Sequence, residues 1–256
     1  MITTSQLTLL SKKLNITQSV ILREYLQILF LSMLYQQKKS SSIFFKGGTA
    51  IHLIYKAPRF SEDLDFTVNM DEKDFLVLIR DTVKKLSQQE TIGFKERKTI
   101  TGKRFLLTLK PGVMPYDIFI NLDFSFREKV LIKEKSIIET DYPVLFTSYI
   151  HHLSKEELFA EKIRALTSRK KGRDLYDLWY LSTLGINPTM RMIQKKLKYY
   201  GLELDGKDPL EKSLGKFTEK DFVRDLQPFV PIKERHDLPR LFSYITSYLR
   251  ASLVKN

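Results

Sequence analysis

Residues 45–66, FKGGTAIHLIYKAPRFSEDLDF, constrain the fold more than any other stretch of this chain. Gly47 and Gly48 end a short apolar strand at residues 41–45 and predict a tight turn. Residues 49–55 then indicate a helix, and residues 64–68 indicate a second strand. This order of strand, glycine turn, helix and strand is typical of a core that mixes helices with a sheet.

The rest of the chain separates into a mixed first half, residues 1–150, and a helical second half, residues 151–256. Ser19, Asp71 and Ser154 are good N-cap residues, and Glu157 is placed to complete a capping box with Ser154. The predicted helices span residues 19–37, 71–88, 155–168, 173–183, 189–200 and 238–253, and the further strands span 94–100, 104–110 and 116–126.

Composition excludes several classes of protein. The chain has no cysteine, so disulfides, thiol catalysis and Cys-based metal sites are excluded, and its four histidines form no HExxH motif. No apolar stretch is long enough to span a membrane and the first residues do not resemble a signal peptide, so we expect a cytoplasmic protein without a membrane partner. The net charge of +13 favours a nucleic-acid partner, although a soluble protein with a basic pI gives the same value.

Asp63 and Asp65 lie two residues apart in what reads as a buried strand. Because strand side chains alternate between the two faces of a sheet, both carboxylates point the same way, and Leu64 and Phe66 can face the core. Two carboxylates so close together repel each other, and Mg²⁺ removes that repulsion because it prefers hard oxygen ligands. The pair therefore predicts a metal site for displacement at phosphorus.

A third carboxylate from a neighbouring strand would complete such a site. Asp123, in the stretch INLDFSF, is the candidate because a charged residue is otherwise hard to justify in an apolar strand. Asp117 has the same parity on that strand and is the alternative.

The glycine turn is suited to an anion. Gly47 and Gly48 have no side chain, so backbone N–H groups can approach a phosphate, and a helix begins directly after them. A Gly-Gly pair alone usually marks only a turn, and a D-x-D pair is more often an exposed edge or a cap, but their combination favours a triphosphate site. Further phosphate contacts are predicted for Lys46, Thr49, Arg59 and Ser61.

These residues resemble motif I of the AbiEii/AbiGii-type nucleotidyltransferases, a branch of the DNA polymerase β-like superfamily. The family pattern is GG[ST], a spacer and R-x-S-x-D-x-D, and it is matched from Gly47 to Asp65. A Leu-x-x-x-Lys helix and an Arg-Asp-x-x-Asp-Leu helix are matched in ELFAEKIRALTSRKKGRDLYDLWYL, and the resemblance covers roughly residues 10–185. The matched positions in the two helices are Leu158, Lys162, Arg173, Asp174, Asp177 and Leu178.

The resemblance implies an α+β fold, in which a small mixed β-sheet with flanking helices forms the nucleotidyltransferase core and a helical C-terminal domain follows. It implies Mg²⁺, or Mn²⁺ in its place, as cofactor and an NTP as substrate. Several members of the family are toxins of toxin–antitoxin or phage-defence systems, and some add nucleotides to the 3′ end of tRNA. An antitoxin, where there is one, is a separate protein.

In the second half, Lys162 lies on or near an apolar helix face and needs a partner. It can contact a triphosphate as a point charge, or pair with Asp174 or Asp177 after the chain turns at Gly172. The resemblance implies that Lys162 and Asp174 are catalytic residues together with Asp63 and Asp65, and that Asp177 helps to bind the nucleotide. The family motif does not place the third metal carboxylate, so the catalytic role of Asp123 rests on strand parity.

The basic second half is the predicted RNA-binding part of the chain. Lys170 and Lys171 are predicted to contact the phosphate backbone of a nucleic acid. Tyr199 and Tyr200, with Lys195, Lys196 and Lys198 beside them, are the predicted place for RNA bases to stack.

Three functional hypotheses follow. The first is an Mg²⁺-dependent enzyme that transfers NMP from an NTP to RNA, with the 3′ end of tRNA as acceptor. The second is the same chemistry with a protein hydroxyl as acceptor. The third is a non-catalytic module that binds nucleic acid or a partner and keeps a degenerate site, and the intact motif argues against it.

Overall fold

A computed structural model describes residues 2–203 and 208–254 of the chain. The contacts divide it into two compact units. The first unit comprises the residues up to Lys56 together with Phe60–Leu153. The second comprises Ala57–Arg59 and the chain from Ser154 onward. The strands of the described residues all belong to the first unit, and the second is built from helices.

A seven-stranded mixed sheet organises the first unit. Its strands are β1 (Ile43–Lys46), β2 (Leu64–Val68), β3 (Ile92–Arg97), β4 (Lys103–Leu109), β5 (Ile118–Ser125), β6 (Lys133–Ser136) and β7 (Ile150–Leu153). They lie in the order β3-β4-β5-β2-β1-β7-β6. The β2–β5 and β1–β7 pairs are parallel and the other neighbouring pairs are antiparallel. The predicted α+β class with a mixed sheet is confirmed.

Helices pack around this sheet. They are α1 (Thr4–Leu14), α2 (Gln18–Tyr35), α3 (Gly47–Leu53) and α4 (Glu72–Ser87). Nearly every residue of α2 from Val20 to Tyr35 is buried, as expected for a helix that is apolar on all sides. Phe66 of β2 stacks on Phe124 of β5 with ring centroids 4.7 Å apart, and Phe75 of α4 meets Phe124 edge-on at 4.8 Å. This aromatic core fixes one face of the central strands.

The second unit contains α5 (Lys155–Ser168), α6 (Gly172–Thr183), α7 (Met190–Lys198), α8 (Asp208–Gly215), α9 (Glu219–Leu226) and α10 (Leu238–Leu249). Helix α5 packs against α6, α7 and α8, and α6 also packs against α9 and α10. No helix of the described ranges, 2–203 and 208–254, is both long and apolar enough to cross a membrane.

One predicted helix start and one predicted capping box need correction. Helix α2 begins at Gln18, and its N-cap is Thr17 instead of Ser19, because Thr17 has extended backbone and its carbonyl accepts from the N–H groups of Val20 and Ile21. The hydroxyl of Ser154 caps α5 by accepting from the Glu157 N–H, but the Glu157 carboxylate binds Lys196, so the predicted capping box is not the role of that side chain. Asp71 caps α4 as predicted.

Candidate active site

The predicted site residues fall into two groups, one in each unit. The first is a row of charged side chains across the sheet. Asp65 of β2 is the register partner of Asp123 of β5. Asp65 also lies opposite Lys46 of β1, and Asp123 lies opposite Arg104 of β4. Register partners point to the same face of a sheet, so one face carries Lys46, Asp65, Asp123 and Arg104 in this order, which we call the charged row.

Asp63 directly precedes β2 and is held by its neighbours. The side-chain amide of Asn121, on β5, donates to Asp63 Oδ1 at 2.9 Å. The buried hydroxyl of Thr49 donates to the backbone carbonyl of Asp63. Thr49 therefore fixes the backbone that presents the carboxylate, and its predicted contact with a phosphate stays a prediction.

Gly47 is required by the site for two reasons. Its φ of +80° lies in the left-handed region, which favours glycine. A Cβ atom at this position would also come within 2.2 Å of Asp65 Oδ2. The glycine turn thus allows the Asp65 carboxylate to lie directly against the backbone at the start of α3.

Arg104 binds Asp123 and is a site residue that the sequence analysis missed. Its Nε donates to Asp123 Oδ1 at 2.5 Å, although almost half of the arginine side chain is exposed. This hydrogen bond raises the pKa of the guanidinium; burial opposes the rise, and the charges of Asp123, Asp63 and Asp65 add to it. Arg104 therefore lies in the electric field of all three carboxylates.

Lys46 is bound within the first unit. Its Nζ lies 3.0 Å from Oε2 of Glu128, and both side chains are buried. Ser61 lies in a loop that Gln27 anchors, because the Gln27 amide donates to the backbone carbonyls of Ser61 at 3.1 Å and Glu62 at 2.8 Å. The nucleotide contacts predicted for Lys46 and Ser61 stay predictions.

The carboxylates of Asp63, Asp65 and Asp123 suit a hard divalent cation, although those of Asp63 and Asp123 bind other side chains. In residues 2–203 and 208–254, no group of three or more His, Asp or Glu side chains is arranged to hold a metal ion. Asp63 is turned to Asn121 and Asp123 to Arg104. Carboxylate oxygens are nevertheless the ligands that Mg²⁺ prefers, and neighbouring strands about 4.8 Å apart allow Asp65 and Asp123 to share one ion.

The alternative third carboxylate, Asp117, lies outside the row. It precedes the first residue of β5, Ile118, and is exposed. Asp123 lies within β5 and in register with Asp65. Of the two candidates, Asp123 is the one placed beside the D-x-D pair.

The second group of predicted residues forms a buried ion cluster within the second unit, made of Arg59, Lys162, Asp174 and Asp177. Arg59 donates to Asp177 through both Nε, at 2.5 Å, and a terminal nitrogen. Lys162 Nζ lies 2.8 Å from Asp174 Oδ1 and 2.7 Å from Asp177 Oδ2. Arg169, at the edge of the cluster, donates to Asp174 from Nε at 2.7 Å.

Electrostatics within the buried ion cluster keeps all four groups charged. Burial by itself raises the pKa of Asp177 and Asp174, but the cations of Arg59, Lys162 and Arg169 outweigh it, so both carboxyl pKa values lie below their usual range. Burial lowers the pKa of Lys162, and the two carboxylates more than reverse that effect. Lys162 therefore contacts both of the aspartates that were predicted as its alternative partners, and Arg59 binds Asp177.

Part of the predicted RNA surface is wrong. Lys196 is fully buried, with its Nζ 2.6 Å from Glu157 Oε1 and 2.9 Å from Glu161 Oε1, because its helix turns that side chain toward α5. The ring of Tyr200 is covered by the guanidinium of Arg164 at 3.9 Å. Lys196 therefore cannot reach RNA, and the face of Tyr200 that Arg164 covers is unavailable for stacking.

A comparison with protein families matches residues 29–244 to the family described as nucleotidyl transferase AbiEii toxin, type IV TA system. The matched span covers most of the 256 residues and includes all of the charged row and the buried ion cluster. A comparison with curated proteins finds no match.

Solved structures with a similar fold include two from bacteria. The nucleotidyltransferase toxin MenT4 from Mycobacterium tuberculosis is 18% identical, with a TM-score of 0.64 over 96% of this chain and 90% of that chain. JHP933 from Helicobacter pylori is also 18% identical, with a TM-score of 0.59 over 94% of this chain and 95% of that chain. At this identity the two structures support the fold.

Proposed function

The chain belongs to the AbiEii family of nucleotidyl transferase toxins of type IV toxin–antitoxin systems, and on that premise we propose that it transfers NMP from an NTP to RNA, with the 3′ end of tRNA as acceptor. The single observation that carries the proposal is the register of Asp65 and Asp123 on adjacent strands, with Gly47 against Asp65. Membership of the family makes the chain a nucleotidyltransferase and argues against the non-catalytic hypothesis.

Asp63, Asp65 and Asp123 are the residues that would hold a divalent cation, Mg²⁺ or Mn²⁺. When bound, the cation supplies Lewis-acid stabilisation of charge on the phosphate oxygens. Asn121 and Thr49 place Asp63 for this role through its side chain and its backbone, respectively. Gly47 lets Asp65 lie beside backbone N–H groups that can bind phosphate oxygens.

In the proposed reaction, the acceptor hydroxyl oxygen attacks the α-phosphorus of the NTP. The bond from that phosphorus to the bridging oxygen breaks, and pyrophosphate leaves. Asp123 is the proposed base that takes the hydroxyl proton. Positioning and neutralisation of charge supply most of the rate enhancement in phosphoryl-transfer enzymes, and the sheet supplies both through residues fixed by backbone register.

For the first unit we further propose that Lys46, Gly48 and Ser61 contribute to NTP binding. For the second unit we propose that Lys162, Asp174 and Asp177, which are buried and bound to one another, support the reaction by holding their helices in place and not by direct contact with the nucleotide. Arg59 is more than 95% buried and bound to Asp177, which supports a positioning role for it in place of direct contact with the nucleotide.

The proposed RNA contacts lie on the second unit, where several lysines are exposed. Lys171, Lys195 and Lys198 can each neutralise a phosphate. Lys170 lies 2.5 Å from Asp221, so part of its charge is already balanced. A separate antitoxin protein is the other proposed partner, and a cytoplasmic location is proposed with it.

The experiment that tests this function supplies purified protein, Mg²⁺ and total RNA with each of the four α-³²P-labelled NTPs in turn. We expect labelled RNA of tRNA size on a denaturing gel with at least one NTP. Asp65→Ala and Asp123→Ala should abolish the label, whereas Asp117→Ala, on the same chain segment, should keep it.

The other outcomes have definite meanings. Label on a protein band would mean that the acceptor is a protein hydroxyl instead of RNA. Unchanged label in Asp65→Ala would refute the proposed site. No label with any NTP, together with no NTP binding in calorimetry, would restore the non-catalytic hypothesis.

A further inference from the structure

Arg104 occupies a position in the charged row that the proposed chemistry does not use. The row places two carboxylates, Asp65 and Asp123, between two cations, Lys46 and Arg104. The two cations differ in their partners. Lys46 is buried and lies 3.0 Å from Glu128, whose side chain is fully buried, whereas Arg104 is almost half exposed and contacts Asp123 itself.

The contact between Arg104 and Asp123 engages the carboxylate that the proposed metal site needs. Nε of Arg104 donates to Asp123 Oδ1 at 2.5 Å. A carboxylate oxygen in a short, charge-assisted hydrogen bond is less available as a metal ligand, since the guanidinium and the metal cation compete for the same negative charge. The Arg104 charge also acts on Asp63 and Asp65, so it opposes binding of a second cation at all three carboxylates.

We propose that Arg104 is a positioning residue that competes with the divalent cation for Asp123 and so sets the metal affinity of the site. This inference rests on the proposed function, which assigns Asp63, Asp65 and Asp123 to the metal. Without the cation, the guanidinium holds the Asp123 carboxylate in place through the hydrogen bond from Nε. When a divalent cation binds, Asp123 exchanges one positive partner for another, and the half-exposed arginine turns toward solvent or phosphate.

The exposure of Arg104 is what makes such an exchange feasible. The side chains of Arg104 and Asp123 are 48% and 27% exposed, so water can solvate both charges as they separate, and the cost of separation is small. The fully enclosed pair of Arg59 and Asp177 in the second unit has no such freedom, because separating it would leave two charges buried.

The test is a titration of the whole, chelator-treated protein with Mn²⁺, in which free Mn²⁺ is measured by electron paramagnetic resonance. We expect Arg104→Gln to bind Mn²⁺ on the order of ten-fold more tightly than the wild type, because the substitution removes the repulsion between the guanidinium and the divalent cation. Loss of structure does not produce a gain in affinity, so the readout separates competition from a merely structural role. Arg104→Lys keeps the positive charge and should return the affinity most of the way to the wild-type value.

Lys103→Gln is the matched control. Lys103 is the adjacent residue on β4, and it points to the opposite face, where it binds Glu72 at 2.9 Å and Glu96 at 3.2 Å. The substitution removes the same charge from the same strand, and we expect it to change Mn²⁺ affinity less than two-fold. An equal gain in both variants would mean a general charge effect and would overturn the assignment to Arg104.

The remaining outcomes separate this proposal from the proposed function. Equal Mn²⁺ affinity in the wild type and Arg104→Gln, or weaker binding in the variant, overturns competition and leaves the metal site of the proposed function intact. Absence of Mn²⁺ binding in both proteins overturns the metal site and the role of Arg104 together. Binding in Arg104→Gln alone is the strongest support for competition.

Discussion

The charged row of the first unit and the buried ion cluster of the second contain the same residue types in opposite settings. In the buried ion cluster, Asp177 is enclosed and contacts both Arg59 and Lys162. In the charged row, Asp123 is partly exposed, and the side chain that contacts it, Arg104, is almost half exposed. Both regions combine aspartates with basic residues that are distant in sequence, but only one of them is enclosed.

On the proposed function, this difference separates charges that hold the fold from charges that bind a ligand. A buried ion pair is hard to break, since removal of one partner leaves the other uncompensated in a medium of low polarity. A partly exposed pair contributes little to stability and exchanges partners easily. We therefore expect the second unit to depend on its aspartates for folding, and the first unit to depend on its aspartates for activity.

The largest expected effect is that of Asp177→Asn. The substitution leaves Arg59 and Lys162 buried with one carboxylate fewer, and we expect the free energy of unfolding to fall by about 3–5 kcal/mol. Urea denaturation followed by circular dichroism measures it. Asp141→Asn is the control, because Asp141 forms an exposed pair with Lys13 at 2.6 Å, and it should cost less than about 1 kcal/mol. Equal losses in the two variants would remove the distinction between enclosed and exposed pairs.

Acid should destabilise the second unit through the same cluster. The folded-state pKa values of Asp174 and Asp177 lie below the value of about 3.9 in an unfolded chain. Their stabilising contribution is therefore present above pH 4 and is lost as the pH falls below it, through the folded-state values. The single tryptophan, Trp179, lies on α6 with both aspartates, so its fluorescence reports this unit. Stability that does not decrease below pH 4 would contradict the prediction.

Gly47→Ala tests whether the backbone beside the charged row requires a residue without a side chain. A left-handed alanine costs roughly 1–2 kcal/mol, and its Cβ would displace the Asp65 carboxylate. We expect a moderate loss of stability together with loss of nucleotide transfer. Gly185→Ala is the control, since Gly185 also has a positive φ, of +71°, but open space around it. It should show the stability loss with transfer retained, and loss of transfer in both variants would refute the steric argument.

The smallest expected effect is that of Asp71→Ala at the start of α4. Asp71 accepts a hydrogen bond from the Asp74 N–H at 2.9 Å, and loss of an N-cap costs about 1 kcal/mol. The thermal midpoint should fall by a few degrees, with transfer unchanged at temperatures where the protein is folded. A loss of stability as large as that of Asp177→Asn would mean that the size of the loss does not distinguish an exposed helix cap from an enclosed ion pair.

Local signals predicted much of the fold. Strand β2 has the predicted residues, 64–68, and α5 has the predicted range, 155–168, because glycine turns, N-caps and apolar periodicity act over a few residues. Strands β6 and β7 were not predicted. Each has four residues, and β6, with the sequence KEKS, is polar throughout, so neither carries the alternation that marks a half-buried strand.

The partners of the charged residues could not be predicted in the same way. The parity of Asp63, Asp65 and Asp123 was available from the sequence, but the contact of Arg104 with Asp123 depends on the register between β4 and β5. Asn121 shares its face with Asp123, and this parity was the one signal for its contact with Asp63. Lys196 resembled a solvated lysine because its partners, Glu157 and Glu161, lie on another helix.

The most direct test of the account is nucleotide transfer by Asp65→Asn, measured per folded molecule alongside its free energy of unfolding. We predict that transfer falls on the order of 10²–10³-fold or more while the unfolding free energy changes by less than about 1 kcal/mol. Transfer retained at the wild-type rate, or lost only in proportion to unfolded protein, would contradict the assignment of the charged row to function.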